Sequence, residues 1–249
     1  MKEVMSGRDY YAAKKNPDFA SGVGKVLDVP MAYSDAAGFL HSVDEIFYRN
    51  VYKFAAKTDA PHIIDLGANI GLSVLFFKCL YPESTIVAYE PDPKIFEILK
   101  RNVGHLPGVD LRNAAAWIEE GEMTFYSEGS LAGSSEMDFA DKGNAVTVPT
   151  ERLKFELAKR AVDFLKMDIE GAENSVLFDV KDELKNVESF FLEYHSVPAK
   201  PQMLGELLNL VTDAGFRYAI THERSPRLPF IEGFTHGFDL QLNVSCFRR

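Results

Sequence analysis

Four side chains that can accept a proton lie near the ends of two predicted β-strands. Asp168 and Glu170 follow one strand, and Glu193 and His195 follow the next strand along the chain. Residues two apart on an extended segment face the same side, so we expect each pair to point into one crevice. An imidazole, with an intrinsic pKa of about 6.5, suits proton abstraction at neutral pH. These residues predict general-base chemistry, with His195 or Asp168 as the base.

Simpler roles and a metal are alternatives for the same side chains. His195 could be a partly buried histidine bonded to backbone, and Glu170 and Glu193 could stabilise a cap or a turn. Together with Asp168 they could also be the oxygen and nitrogen ligands of a divalent ion that lowers the pKa of a substrate hydroxyl. Because the count of carboxylates alone does not define a metal site, we predict no metal and keep the ion as the less favoured alternative.

A glycine turn follows the first strand of the region in which strands and helices alternate. The segment reads DLGANIG from Asp65 to Gly71 and leads directly into a helix. In doubly wound sheets a ligand lies at such turns, where Gly67 and Gly71 allow close backbone approach. A dinucleotide fingerprint would need glycine in place of Asn69 and Leu72. The turn therefore favours a nucleoside without pyrophosphate, and Asp65 either orients the amino-acid end of the ligand or closes its own turn.

The second and third strands end in residues suited to a ribose and a flat base. Glu90 has two acceptor oxygens, which can accept hydrogen bonds from both ribose hydroxyls. The alternative interpretation is an exposed charge beside a turn proline. Asp92 is expected to cap the following helix. After the third strand, Ala116 leaves room for adenine, and Trp117 either stacks on that base or covers neighbouring strands.

The elements that must position these residues alternate along the chain, which predicts a parallel sheet covered on both faces. We expect strands over 62–66, 85–90, 109–114, 162–167, 189–194, 216–221 and 239–247. Helices are expected over 72–80, 93–102, 150–160, 172–178 and 202–214. Two further strands within about 121–148 interrupt this alternation and predict an inserted hairpin.

The first 60 residues carry a different pattern. Ser42 and Glu45 form a capping box before a helix that runs to Pro61, whereas the first 31 residues read as irregular with one short helix. We therefore divide the chain into an N-terminal helical extension over 1–60 and a main domain over 61–249.

Together, the segments DLGANIG, YEPDP and NAAAW resemble class I S-adenosylmethionine-dependent methyltransferases. The segments LKMDIEGAE, at 165–173, and LEYH, at 192–195, resemble the signatures of the FkbM-type family within that class. The resemblance covers roughly residues 39–196. The motifs taken together are specific to the family, although the glycine turn alone would be weak evidence. The resemblance implies that 61–249 is the methyltransferase domain and that the extension over 1–60 caps the acceptor side. Acceptor identity is the point at which the resemblance says least.

The resemblance implies a Rossmann-like α/β fold with a mainly parallel seven-stranded sheet, whose last strand is antiparallel and lies beside the fifth and sixth. It also implies S-adenosylmethionine as cofactor and O-methylation, commonly of a sugar, glycan or natural-product hydroxyl. The family's cofactor positions match Asp65, Gly67, Asn69, Gly71 and Glu90.

Composition narrows the functional classes. The 249 residues are 46% hydrophobic with a formal charge of −10, which fits a globular protein and argues against broad nucleic-acid binding. No apolar run approaches the ~18–20 residues of a membrane span. The two cysteines match no zinc spacing and suit a reducing cytoplasm, and a homodimer is the default assembly.

Two other functions remain open at this point. A nicotinamide-dependent oxidoreductase would share the strand–helix pattern and Glu90, but the missing second glycine argues against it. A nucleoside-binding regulatory module without turnover would share the pocket, because a fold does not establish catalysis.

Overall fold

The computed structural model describes residues 3–17, 19–127, 133–134, 145–198, 200–224, 228, 230–231 and 238–248. The N-terminal part contains, in order, α1 (Gly7–Lys14), β1 (Gly22–Val26), β2 (Val29–Tyr33), α2 (Ala36–Val43) and a π-helical turn (Asp44–Tyr48). Then follow β3 (His62–Leu66), α3 (Leu72–Leu80), β4 (Thr85–Tyr89), α4 (Pro93–Val103), β5 (Val109–Arg112), β6 (Ala115–Trp117), β7 (Gly121–Ser127), β8 (Gly133–Ser134) and β9 (Ala145–Arg152).

The C-terminal part completes the main sheet. It comprises α5 (Leu153–Lys159), β10 (Val162–Met167), α6 (Glu173–Asp179), a 3-10 turn (Glu183–Asn186), β11 (Val187–Ser196), α7 (Leu204–Asp213), β12 (Arg217–Arg224) and β13 (Leu240–Phe247). Among the described residues, no helix is both long enough and apolar enough to cross a bilayer.

Seven strands form the main sheet in the order β12-β13-β11-β10-β3-β4-β5. β13 runs antiparallel to β11 and β12, and the other pairs are parallel. This confirms the Rossmann-like fold with an antiparallel last strand. Because β3, β4, β10 and β11 are parallel, their carboxyl ends meet at one edge, where the candidate site residues lie.

The core has one layer on each face of this sheet, since successive strand residues point to opposite faces. On one face, Ile63 and Phe164 pack with α3, α4 and the N-terminal segment. On the other, Ile64 and Leu165 pack with α5, α6 and α7. The carboxyl edge of the sheet is thus held between two packed layers.

A smaller sheet stands where an inserted hairpin was expected. β7 and β9 pair antiparallel, but β6 and β8 extend them to four strands in the order β6-β9-β7-β8. The third main strand ends at Arg112, and Ala115–Trp117 belongs to the small sheet through parallel pairing with β9. β9 continues to Arg152, so the helix expected from residue 150 starts only at Leu153. Most of the joining loop lies outside the described residues.

The expected helix start at Ser42 is wrong. α2 begins at Ala36, because the Asp35 carboxylate accepts the backbone N–H groups of Ala37 and Gly38. The helical run ends at Tyr48 rather than near Pro61. The chain turns directly after Tyr48, through Asn50, which has a positive φ of 57°.

The first 31 residues are also more regular than expected. α1 is the short helix, but β1 and β2 form a hairpin whose turn residues, Leu27 and Asp28, have φ values of 52° and 69°. Such a turn is usually recognised in a sequence by an Asn-Gly pair, which tolerates positive φ. Leu27-Asp28 lacks this signal, because leucine is unfavourable at positive φ.

Candidate functional site

The turn between β3 and α3 has the backbone that the glycine pattern predicts. Gly67 and Gly71 have φ values of +80° and +94°, and Asn69 also has a positive φ of 48°. A Cβ atom on Gly67 would lie 1.9 Å from the Asp168 carbonyl oxygen, and one on Gly71 would lie 2.9 Å from a methyl group of Leu99. Backbone packing therefore requires glycine at position 67, and the positive φ of Gly71 disfavours other residues at that position.

Glu90 lies directly against this turn. Its side chain is buried at 6% exposure, so it is not the exposed strand-end charge considered as the alternative. One carboxylate oxygen accepts the backbone N–H of Asn69 and the other that of Asp92, each at 2.9 Å. Burial raises the pKa of Glu90 to about 8, although these two hydrogen bonds favour the ionised form. Asp92 caps α4 as expected, by accepting from Lys94 and Ile95.

Asp65 is fully buried at the end of β3. The Ser73 hydroxyl donates to its Oδ2 at 2.5 Å, whereas Oδ1 has no hydrogen-bond partner among the described residues and lies 3.4 Å from Lys166 Nζ. These contacts hold the turn closed and leave one carboxylate oxygen without a hydrogen bond.

Lys166 is a site residue that the sequence analysis missed. Its ammonium, buried at 2% exposure, donates to the carbonyl oxygens of Gly67 at 2.9 Å and Leu66 at 3.3 Å. It also lies 3.3 Å from Asp168 Oδ2. Burial opposes its charge, but the carboxylates of Asp168 and Asp65 outweigh that effect and raise the pKa of Lys166. The two-residue spacing of Lys166 and Asp168 was the available signal.

The four predicted proton acceptors are brought together with Glu173, and we call these five residues the carboxylate–histidine cluster: Asp168, Glu170, Glu173, Glu193 and His195. His195 is fully buried. Its Nδ1 lies 3.0 Å from Glu173 Oε1, and its Nε2 lies 3.5 Å from Glu170 Oε2 and 3.8 Å from Glu193 Oε1. The partner of His195 is therefore a carboxylate and not a backbone group.

Two partners fix the geometry of the cluster. Glu173 Oε1 accepts the backbone N–H groups of Ile169 and Gly171, both at 3.1 Å. Gln241 donates to Glu193 Oε1 at 2.5 Å and lies 3.1 Å from His195 Nε2. Gln241 comes from β13, opposite His195 in the strand register, so no local sequence signal could have identified it.

Glu193 and His195 lie inside β11 and not after it, because pairing with β13 extends the strand to Ser196. Burial raises the pKa of Glu170 to about 8 and raises that of Glu193 well above its usual range. Burial disfavours the charged form of His195, but Glu173 and Glu170 outweigh this and raise its pKa. The neighbouring carboxylates therefore favour the cationic form of His195.

Tyr52 connects the N-terminal region to this cluster. Its ring is buried, lies 5.6 Å from the Lys166 ammonium and packs edge-on against Phe191. Burial raises the pKa of Tyr52, and the nearby carboxylates of Asp168 and Glu193 raise it further. Tyr52 is therefore a neutral phenol beside the charged groups.

Ala116 and Trp117 lie on β6 of the small sheet. Ala116 is buried in the core layer on the α5–α7 side, and Trp117 is half-buried and packs against that layer. Their register partners are Glu151 and Arg152 of β9. Packing alone accounts for the positions of Ala116 and Trp117, and a contact of either residue with adenine stays a prediction.

Comparison with known proteins decides the family. Residues 65–218, more than half of the chain, match the model of the methyltransferase FkbM domain. The chain belongs to the FkbM methyltransferase family. This confirms the resemblance drawn from the motifs, and an S-adenosylmethionine-dependent methyltransferase is favoured over a nicotinamide-dependent oxidoreductase.

Two relatives each match more than half of the chain. It is 33% identical over 172 residues to Methyltransferase 1 of Beauveria bassiana, covering 58% of this chain and 68% of that protein. It is 28% identical over 199 residues to 31-O-demethyl-FK506 methyltransferase FkbM of Streptomyces tacrolimicus, covering 66% and 75%.

A solved structure shares the fold of this FkbM-family chain. The S-adenosylmethionine-dependent methyltransferase from Agrobacterium tumefaciens superposes with a TM-score of 0.53 over 94% of this chain and 72% of that one. At 11% identity the likeness concerns the fold alone.

Proposed function

We propose that this protein transfers the methyl group of S-adenosylmethionine to a hydroxyl oxygen of a sugar, glycan or natural product. The observation that carries the proposal is the placement of Glu90. Its buried carboxylate lies against the Gly67–Gly71 turn at the carboxyl end of β4. The carboxylate–histidine cluster comes from the end of β10, the start of α6 and the carboxyl-terminal part of β11, so cofactor and acceptor groups would meet at one edge of the sheet.

The residues at this edge fit the cofactor. Each oxygen of Glu90 accepts one N–H group and keeps a second lone pair, which suits the two donors of a ribose diol. Asp65 Oδ1 is a buried acceptor without a hydrogen bond among the described residues, and we assign it to the amino-acid end of the cofactor. Gly67, Asn69 and Gly71 would shape the backbone beneath the nucleoside.

Methyl transfer chiefly requires alignment. The bound cofactor supplies a methyl group on a sulfonium, which is already a good leaving group. The chain must hold the acceptor oxygen in line with that methyl group and exclude water. Proton removal from the acceptor hydroxyl would fall to the cluster, in which Asp168, Glu170, Glu193 and His195 all lie close to one another.

Oxygen as the acceptor atom has support from one relative. The name of the Streptomyces tacrolimicus enzyme, 31-O-demethyl-FK506 methyltransferase, refers to an oxygen of a natural product. That name does not identify the acceptor of this chain, so the assay must include sugars, glycans and hydroxylated natural products.

The test combines binding with turnover. Native mass spectrometry of the purified chain with S-adenosylmethionine is expected to show a one-to-one complex. An acceptor screen that detects S-adenosylhomocysteine should then give turnover with a hydroxylated acceptor and none with its O-methylated form. Absence of cofactor binding would contradict the proposal. Binding without transfer to any acceptor would instead support the regulatory nucleoside-binding module.

A further inference from the structure

Tyr52 is a buried tyrosine whose hydroxyl has no hydrogen-bond partner among the residues that the structure describes. The residue is 6% exposed, and the contacts of its side chain are made by the ring. The ring centroid lies 4.8 Å from that of Phe191 and 5.6 Å from the Lys166 ammonium. Tyrosine hydroxyls usually find a partner when they are buried. A phenol without one is therefore a candidate for contact with a bound molecule.

The strand register places Tyr52 next to the open edge of the sheet. Lys166 on β10 lies opposite Phe191 on β11, and Tyr52 packs over this pair. Two residues further along each chain segment, on the same face, come Asp168 and Glu193. These two residues form the next pair towards the carboxyl edge, where the acceptor groups of the proposed function lie.

The neighbouring aromatic residue and the local charges agree with this position. Phe54 stacks on Phe164 at 4.5 Å, which is one pair of residues further towards the amino ends of the strands, so the chain leaves the edge after Tyr52. Burial raises the pKa of Tyr52 most, and among charged groups Asp168 and Glu193 raise it most. Because Coulomb interactions weaken with distance, the phenol oxygen lies on the side of these carboxylates. At neutral pH it is a hydrogen-bond donor.

A donor at this point would complete the requirements of a hydroxyl acceptor. The acceptor oxygen carries one hydrogen and two lone pairs, and one lone pair must point at the methyl carbon for in-line attack. A carboxylate of the carboxylate–histidine cluster can accept the hydrogen but cannot donate to the second lone pair. A neutral phenol can donate to it, which leaves only the attacking lone pair unbound.

We propose that the Tyr52 hydroxyl donates a hydrogen bond to the acceptor oxygen and fixes its direction of attack. The inference rests on the proposed function. In the transfer, the bond between oxygen and methyl forms, the bond between methyl and sulfur breaks with its electron pair kept by sulfur, and the proton passes to a carboxylate of the cluster. The Lys166 ammonium, another donor nearby, is already engaged by two carbonyl oxygens and two aspartates.

A matched pair of tyrosine variants tests the contact. Tyr52→Phe removes one oxygen and keeps the ring that packs on Phe191. With the acceptor that gives the highest turnover in the screen, kcat/KM should fall about 10- to 100-fold, because the acceptor oxygen is no longer aligned. The Kd of S-adenosylhomocysteine should stay within about twofold and the urea midpoint should not fall, since the hydroxyl makes no described contact within the protein. Tyr48→Phe, the same change at an exposed position, should leave all three quantities unchanged.

A cycle of two proteins and two ligands separates a direct contact from an indirect effect. Calorimetry in the presence of S-adenosylhomocysteine compares the acceptor with its deoxy analogue, which lacks the methylated hydroxyl. The acceptor should bind the unchanged protein about 3- to 10-fold more tightly than Tyr52→Phe, whereas the deoxy analogue should bind both equally. An equal loss of affinity for the two ligands would overturn the contact and assign Tyr52 a structural role.

Failure of this inference can be separated from failure of the proposed function. Unchanged acceptor kinetics in Tyr52→Phe, together with turnover by the unchanged protein, would overturn the contact and leave the proposed function standing. If the unchanged protein bound no S-adenosylmethionine, or transferred no methyl group to any hydroxylated acceptor, both would be overturned.

Discussion

Glu90 is both buried and held by backbone hydrogen bonds at the end of β4. Its carboxylate is buried, and each of its oxygens is nevertheless held by a backbone N–H group of a different loop. The side chain is thus fixed in position before any ligand arrives, and burial sets its protonation. Both properties lead to measurable consequences for cofactor binding.

Replacing Glu90 with alanine should weaken S-adenosylmethionine binding by about 1–3 kcal/mol, because charge-assisted hydrogen bonds to the ribose hydroxyls are lost. Calorimetry measures the change. Glu97→Ala, an exposed position on α4, is the matched control and should leave affinity unchanged. Equal affinity of Glu90→Ala and the unchanged protein would remove the ribose assignment.

Cofactor affinity should also depend on pH. The pKa of Glu90 is raised to about 8 by burial, and ribose hydroxyls donate best to the ionised form. Binding should therefore strengthen as pH rises towards 8, by at most about tenfold per pH unit below that value, and level off above it. S-Adenosylhomocysteine titrations between pH 6.5 and 9 measure this slope, which should be absent from Glu90→Gln. A slope retained by that variant would assign the titration to another group.

Lys166 holds together the cofactor turn and Asp168. In Lys166→Met the carboxylates of Asp65 and Asp168 lose their buried ammonium, and we expect a loss of about 3–5 kcal/mol in the free energy of unfolding. Urea denaturation measures it, with the exposed Lys94→Met as control. A change below about 1 kcal/mol would show that the ion pairs are not needed for stability.

The turn between β3 and α3 shows how an element can be determined by its neighbours. Gly67 meets the Asp168 carbonyl oxygen at the end of β10, and Gly71 meets side chains of α4. Such close approach fixes the height of the turn relative to the strands on either side. Cofactor geometry therefore depends on the packing of three elements.

Replacing Gly67 with alanine tests this arrangement. The added Cβ would lie 1.9 Å from a backbone oxygen at a φ of +80°, so we expect at least about 2–3 kcal/mol of destabilisation and loss of cofactor binding. Gly7→Ala, which has no atom within 4 Å of its Cβ, should change stability by less than about 1 kcal/mol. Thermal and urea unfolding compare the two variants, and similar stabilities would show that the turn can move.

At the scale of the whole molecule, the N-terminal region is part of the core and not only an appendage. Met31, Phe39 and Ile46 belong to the same packed layer as α3 and α4. Asn102 of α4 accepts from Ala32 N and donates to the carbonyl oxygens of Ala32 and Ile70. The division at residue 60 and the role of an acceptor-side cap remain predictions.

Asn102→Ala tests this coupling, since it removes one buried amide that bonds both the hairpin and the cofactor turn. We expect a loss of about 2–4 kcal/mol in unfolding free energy, because buried backbone groups are left without partners. Hydrogen exchange should show faster exchange in β1 and β2, whereas Asn209→Ala, exposed on α7, should show neither effect. Unchanged exchange in the hairpin would mean that side-chain packing alone holds it.

The sequence by itself determined the parts of this protein that depend on neighbouring residues. The alternation of strands and helices, the positive-φ glycine turn and the Asp92 cap all follow from local backbone and side-chain preferences. The sequence also identified the four proton acceptors, because Asp168 with Glu170 and Glu193 with His195 form two pairs that are close in the chain. The resemblance of these segments to a family added the cofactor and the sheet order.

Only the tertiary structure decided which groups complete the site. Gln241 reaches His195 because β13 inserts beside β11, and Tyr52 reaches Lys166 because the N-terminal region folds against the sheet. Glu173 becomes the partner of His195 because α6 starts beside β11. Each contact joins segments distant in sequence, and its energy depends on strand order and burial, which no local pattern of residues specifies.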